Sequence, residues 1–122
     1  MLTAANALWV TGYDIIYATS DIEFDRKERL HSIPARFGKS LALKGALLLH
    51  IVTVTLLAAA GYLNGRGLFY YIGVFLCSLL LAAEHLLVVR GKIILASYQM
   101  NQIMGLVFFL FSITDFYITL PL

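Results

Sequence analysis

Asp14, Asp21 and Asp25 are separated by seven and then four residues. On a continuous helix those offsets bring Asp21 and Asp25 within about 20° of Asp14, with Tyr17 about 60° to one side and Glu23 on the opposite face. Like charges on one stripe repel, so the pattern calls for a positive partner, and a divalent cation is the natural one. Asp21 and Asp25, one turn apart at about 6 Å of rise, suit a metal that takes one or two carboxylates and shares the rest of its shell with phosphates and water. Magnesium is the expected ion, with Asp21 and Asp25 as its ligands. Asp14 lies about 10 Å further along the axis, and serves a second metal, an aromatic substrate or the surroundings of Tyr17.

These acids belong to a chain that is otherwise apolar. Hydrophobic residues are 61% of the 122, against nine basic and seven acidic side chains. That balance excludes an ordinary soluble domain and fits an integral membrane protein. Eleven of the sixteen charges fall between residues 14 and 44. One polar block therefore interrupts a run of candidate spans at about 2–20, 41–63, 68–89 and 103–120, each about the length a bilayer requires. The expected fold is all-α, a polytopic bundle of about four transmembrane helices. A cap occupies residues 21–40, with a short helix from Asp25 to about Leu30 and a turn marked by Pro34 and Gly38.

Arg26, Lys27, Arg29, Arg36, Lys39, Lys44, Arg90 and Lys92 lie in loops that four spans bring to one side, against Arg66 alone on the other. The positive-inside rule then puts the acidic stripe at the cytoplasmic surface and both chain ends outside. No cleavable leader is expected, because the first segment lacks a basic start and contains Asp14. Cys77 reads as a packing residue. His31 and His50 read as structural, and Asn101 and Gln102 as interhelical hydrogen-bonding groups. Glu84, His85 and Asp115 are weak site candidates, Glu84 being near enough to Arg90 to pair with it or reach the interface. No nucleic-acid partner is expected.

The run Gly12-Tyr13-Asp14-Ile15-Ile16-Tyr17-Ala18, continuing into Asp21-Ile22-Glu23-Phe24-Asp25-Arg26 and then Leu30-His31-Ser32-Ile33-Pro34-Ala35-Arg36-Phe37-Gly38, strongly resembles the second aspartate-rich motif of the UbiA-type intramembrane prenyltransferases. Within that group it is most similar to the 4-hydroxybenzoate polyprenyltransferases and their menaquinone-pathway relatives, and the likeness extends over essentially the whole chain. The resemblance implies a nine-helix bundle in which two such motifs hold Mg²⁺ on an allylic polyprenyl diphosphate and pass the prenyl group to an aromatic acceptor, in ubiquinone or menaquinone synthesis. It makes Asp14, Asp21 and Asp25 the catalytic carboxylates. Tyr17, Arg26, Lys27, Arg36 and Lys39 become substrate-binding, with Arg36 foremost for diphosphate. The family's first motif has no counterpart among these residues, so a missing N-terminal half or complementary chain is an expected partner, and the 122 residues alone are expected to show no turnover. A bacterial inner membrane is the expected location. A non-enzymatic membrane subunit leaves the acidic stripe unexplained, and a phosphatidyl transferase calls for an Asp-Gly dipeptide that is absent.

Overall fold

The computed structural model describes residues 1–119. Its elements are α1 (Leu2–Ala18), two short cap helices α2 (Ile22–Lys27) and α3 (Ile33–Phe37), α4 (Lys39–Leu63), α5 (Leu68–Val89), and α6 (Met100–Thr119), which continues from a π-helical turn over Leu95–Gln99. No strand occurs among the described residues. The fold is an all-α membrane bundle, as the composition requires. Lys39–Leu63, Leu68–Val89 and Leu95–Thr119 are each long and apolar enough to cross a membrane. α1, with 17 residues, comes to about 26 Å, short of the roughly 30 Å of hydrocarbon. The last expected span began at residue 103. Its helix starts earlier, because the polar stretch Tyr98–Gln102 lies inside the helix and not ahead of it. The expected end of that span, Leu120, lies outside the described residues.

The helices run antiparallel in pairs. Ile15 and Ile16 of α1 pack with Ala42 and Ala46 of α4 at the cap end. Ala5 meets Leu57 at the far end, where Thr53 donates its hydroxyl to the Ala5 carbonyl at 3.3 Å. Small residues at the contact let these backbones approach, which matters in lipid, where close van der Waals packing replaces the hydrophobic effect as the force between helices. α5 and α6 repeat the arrangement. A Cβ on Gly73 would lie 2.6 Å from Phe111 Cβ, so only glycine fits there. The turn Asn64–Gly67 sends α5 back toward the cap, and Arg90 and Lys92 return to the end that carries the other basic residues.

Inside the bundle, charge is tied down. Asp115 of α6, 1% exposed, accepts hydrogen bonds from the backbone N–H of Gly67 at 3.0 Å and of Tyr70 at 3.2 Å, so it caps the N-terminus of α5 from a neighbouring helix. The helix-end donors and the positive end of the helix dipole explain a carboxylate in an apolar span without recourse to a ligand. Glu84 likewise does not reach Arg90 or the interface. It is fully buried and accepts from Asn101 Nδ2 at 3.1 Å. Asn101 Oδ1 in turn accepts from Trp9 Nε1 at 2.5 Å, linking α5, α6 and α1. The Asp115→Ala variant leaves two buried N–H groups unsatisfied and is expected to lower unfolding free energy by about 1–3 kcal/mol, measured as loss of helicity against denaturant in bilayer-like micelles.

Candidate functional site

The cap end is where unpaired charge collects, and its geometry begins with a break. Thr19 and Ser20 turn their hydroxyls back onto the carbonyls of Ile16 at 2.6 Å and Tyr17 at 2.7 Å, and their backbone N–H groups make the same three-residue bonds. Hydroxyls that compete for the last carbonyls end α1 at Ala18. The single helix assumed for the three aspartates is therefore corrected. Asp14 stands on α1, while Asp21 is the N-cap residue of α2 and Asp25 lies inside that helix. Asp21 and Asp25 remain one turn apart, joined by the Asp25 N–H to Asp21 carbonyl bond of 2.8 Å.

The three carboxylates have different surroundings. Asp14 and Tyr17 are exposed on the face of α1 opposite the buried Ala5, Gly12, Ile15 and Ile16, and Asn6 shares that exposed face. Asp21 is exposed, and its side chain does not close the cap of α2. Asp25 is 9% exposed and accepts a 2.5 Å hydrogen bond on Oδ2 from the Ser32 hydroxyl. Ser32 Oγ accepts in turn from the Ala35 N–H at 3.3 Å, capping α3, so Asp25 also organises the cap. Among the described residues no three His, Cys, Asp or Glu side chains converge to hold a metal by themselves. An all-oxygen set of one free carboxylate and one half-engaged one fits an ion that takes most of its shell from phosphates and water, as Mg²⁺ does.

The cap also carries an open concavity of about 630 Å³ lined by Arg26, Arg29, Leu30, His31, Ala35 and Arg36. Arg26 donates Nε–H to the Ala35 carbonyl at 3.1 Å, which fixes the guanidinium while leaving its outer nitrogens free. The Arg36 guanidinium sits 5.3 Å over the Phe37 ring. Among the described residues none of these arginines forms an ion pair. Lys27 and Lys39 are exposed but do not line the concavity. His31 does, although its lone position in the sequence marked it as structural.

Arg29 carries a backbone signal. The expected cap helix, Asp25 to about Leu30, is shifted: α2 starts at Ile22 and stops at Lys27, because Arg29 turns left-handed at φ 56°. The Leu30 N–H bonds the Asp25 carbonyl at 2.7 Å and the Arg29 N–H bonds the Arg26 carbonyl at 3.3 Å. α4 and α5 end with the same pair of bonds, but there the left-handed position is Gly65 and Gly91. Glycine is the residue such a helix end prefers. An arginine there is strained, and the strain places a cation on the rim of the concavity.

The pattern of the UbiA prenyltransferase family matches residues 1–113. The chain belongs to that family. It is 28% identical over 116 residues to the 4-hydroxybenzoate octaprenyltransferase of Francisella tularensis subsp. tularensis (strain WY96-3418), covering 93% of this chain and 40% of that protein. With the 4-hydroxybenzoate octaprenyltransferase of Citrobacter koseri it shares 32% over 112 residues, covering 90% of this chain and 38% of the relative. The chain thus spans about 40% of the length of the curated relatives it matches. No solved structure gives a significant match.

The strain at Arg29 yields a prediction. Arg29→Gly removes about 1–2 kcal/mol of left-handed penalty and adds a smaller cost in unfolded-chain entropy, so the thermal midpoint should stay level or rise. A clear fall in midpoint would show that the Arg29 side chain itself holds the cap together.

Proposed function

We propose that, within the complete protein, this chain supplies the second aspartate-rich end of a Mg²⁺-dependent prenyltransferase. The enzyme moves a polyprenyl group from an allylic prenyl diphosphate to an aromatic acceptor such as 4-hydroxybenzoate, in ubiquinone or menaquinone synthesis at a bacterial inner membrane. The observation that carries this reading is that Asp21, an exposed carboxylate, is the N-cap residue of the short helix whose Arg26 lines, with Arg29 and Arg36, a concavity of arginines without ion pairs, in a chain of this family. The arrangement is of the kind needed to hold a metal and a polyphosphate together.

In this reading Asp21 and one oxygen of Asp25 hold the ion, which when bound neutralises charge on the departing diphosphate. Arg26, Arg29 and Arg36 grip the phosphates, and the exposed Lys27 and Lys39 raise the local positive potential. As the allylic C–O bond breaks, its electron pair leaves with the diphosphate, and the guanidiniums around the concavity stabilise the charge that builds there. A ring carbon of the acceptor then bonds the allylic carbon, and the proton it carried passes to the released diphosphate. Asp14 and Tyr17, on the outward face of α1, are assigned to orienting the acceptor, whose ring must lie edge-free beside the cation for that bond to form. The remaining helices of the site, with the other aspartate-rich motif, come from sequence that these 122 residues do not include, and this chain alone is proposed to be inactive.

The test is prenyl transfer to 4-hydroxybenzoate by the complete natural protein in membranes. The Asp21→Asn, Asp25→Asn double variant should lose at least about a hundredfold in rate, and Arg29→Gly should weaken donor binding with no loss of stability. Full activity in the double variant would refute the assignment of these carboxylates.

A further inference from the structure

Polar side chains from all four long helices line up in a string inside the bundle, hydrogen-bonded at each step except between Glu84 and His50. Trp9 donates to Asn101 at 2.5 Å, and Asn101 donates to Glu84 Oε1 at 3.1 Å. Glu84 Oε2 lies 3.6 Å from His50 Nδ1, which is 3.1 Å from His85 Nε2. The π-helical turn takes part, since the Asn101 amide also donates to the Ser97 carbonyl at 2.7 Å. Glu84 and His50 are 0% and 1% exposed.

Two members of the string meet the same stretch of α1. Trp9, its first member, has its ring edge to face with Tyr13, centroids 6.3 Å apart. The His50 ring presses on Gly12 so closely that a Cβ there would stand 2.2 Å from Nε2. Asp14 follows Tyr13 directly and Gly12 by two residues.

A buried carboxylate and two imidazoles are a poor choice for stability alone, because a well-packed apolar set of similar volume is usually as stable or more so. What directional hydrogen bonds add is a unique rotation and depth for a helix that apolar packing would leave free to slide or turn. We propose that Glu84, acting with His50 and Asn101, is a positioning residue that fixes α1 between α4 and α6 and so aims Asp14 and Tyr17 at the aromatic acceptor. The assignment of Asp14 and Tyr17 to the acceptor rests on the function proposed above. The clasp on α1 does not.

The experiment compares Glu84→Leu, Glu84→Gln and Gly12→Ala in the complete natural protein, with KM measured separately for donor and acceptor. Glu84→Leu should raise acceptor KM about tenfold while donor KM stays within about twofold. The glutamine can still accept from Asn101 and donate toward His50, so Glu84→Gln should stay within about threefold of the parent for both. A purely structural role would lower the amount of active enzyme and leave both KM values unmoved, and that result overturns the proposal. If Glu84→Leu does not fold, Gly12→Ala carries the test: its methyl pushes His50 from the α1 side without touching Glu84, and an unchanged acceptor KM overturns the proposal equally. If the parent transfers no prenyl group, the functional reading fails, and the clasp is judged from Trp9, the chain's one tryptophan. In the bilayer-embedded 122-residue chain, Glu84→Leu should shift Trp9 emission in the same direction as Asn101→Leu. Emission unchanged in both variants overturns the clasp.

Discussion

Hydrocarbon cannot hydrate a charge, and that constraint sorts the polar residues of this chain into two sets. Those within the bundle mostly have protein partners: Asp115 the backbone at the start of α5, one oxygen of Glu84 the Asn101 amide, Thr53 the α1 backbone; among the described residues Glu84 Oε2, His50 Nε2 and Ser112 Oγ are buried without a hydrogen bond. Charges without ion pairs gather at the cap end, where Asp14, Asp21 and the three arginines of the concavity are exposed, with Arg66 at the opposite turn. An unpaired charge can stand only where water or a ligand can reach it. The layout of the bundle and the gathering of free charge at the cap thus follow from the same requirement.

The cap turns that requirement into a shape. Two hydroxyls end α1, a Ser32–Asp25 bond ties α2 to α3, and a left-handed Arg29 reverses the chain between them. The result is a short bent segment that carries both carboxylates and guanidiniums without an ion pair between them among the described residues. An anionic ligand and a cation could then enter together, each satisfying charges the protein leaves open. Strain at Arg29 is consistent with this, since left-handed positions at the ends of α4 and α5 are filled by glycine.

Much of the bundle was legible in the sequence. The expected spans at 41–63 and 68–89 agree with α4 and α5 to within two residues, because long apolar runs bounded by charge admit little else. The grouping of basic residues at one end followed from loop parity. The break in α1 was missed because a seven-and-four spacing suits one continuous helix, and nothing in that periodicity registers two hydroxyls folding back on their own carbonyls. The start of the last helix was missed because Tyr98 to Gln102 are polar enough to read as a flank, whereas Asn101 is buried against Glu84. The internal network was hidden for a different reason: its partners are 17, 35 and 92 residues apart, and no local pattern connects them. The acidic and basic residues of the cap stood out in the sequence as types. Their surroundings did not, since only the fold shows that Asp25 is bonded to Ser32 while Asp21 is free.

The central claim is that the acidic and basic groups of the cap hold an isoprenoid diphosphate through a divalent cation. Its most direct test is equilibrium binding of a non-reactive polyprenyl diphosphate analogue to the complete protein in bilayers, titrated with and without Mg²⁺. The account predicts that removing the metal weakens binding by at least about tenfold, because the carboxylates then repel the phosphates they otherwise bridge to. Equal affinity in the presence and absence of the ion would contradict it.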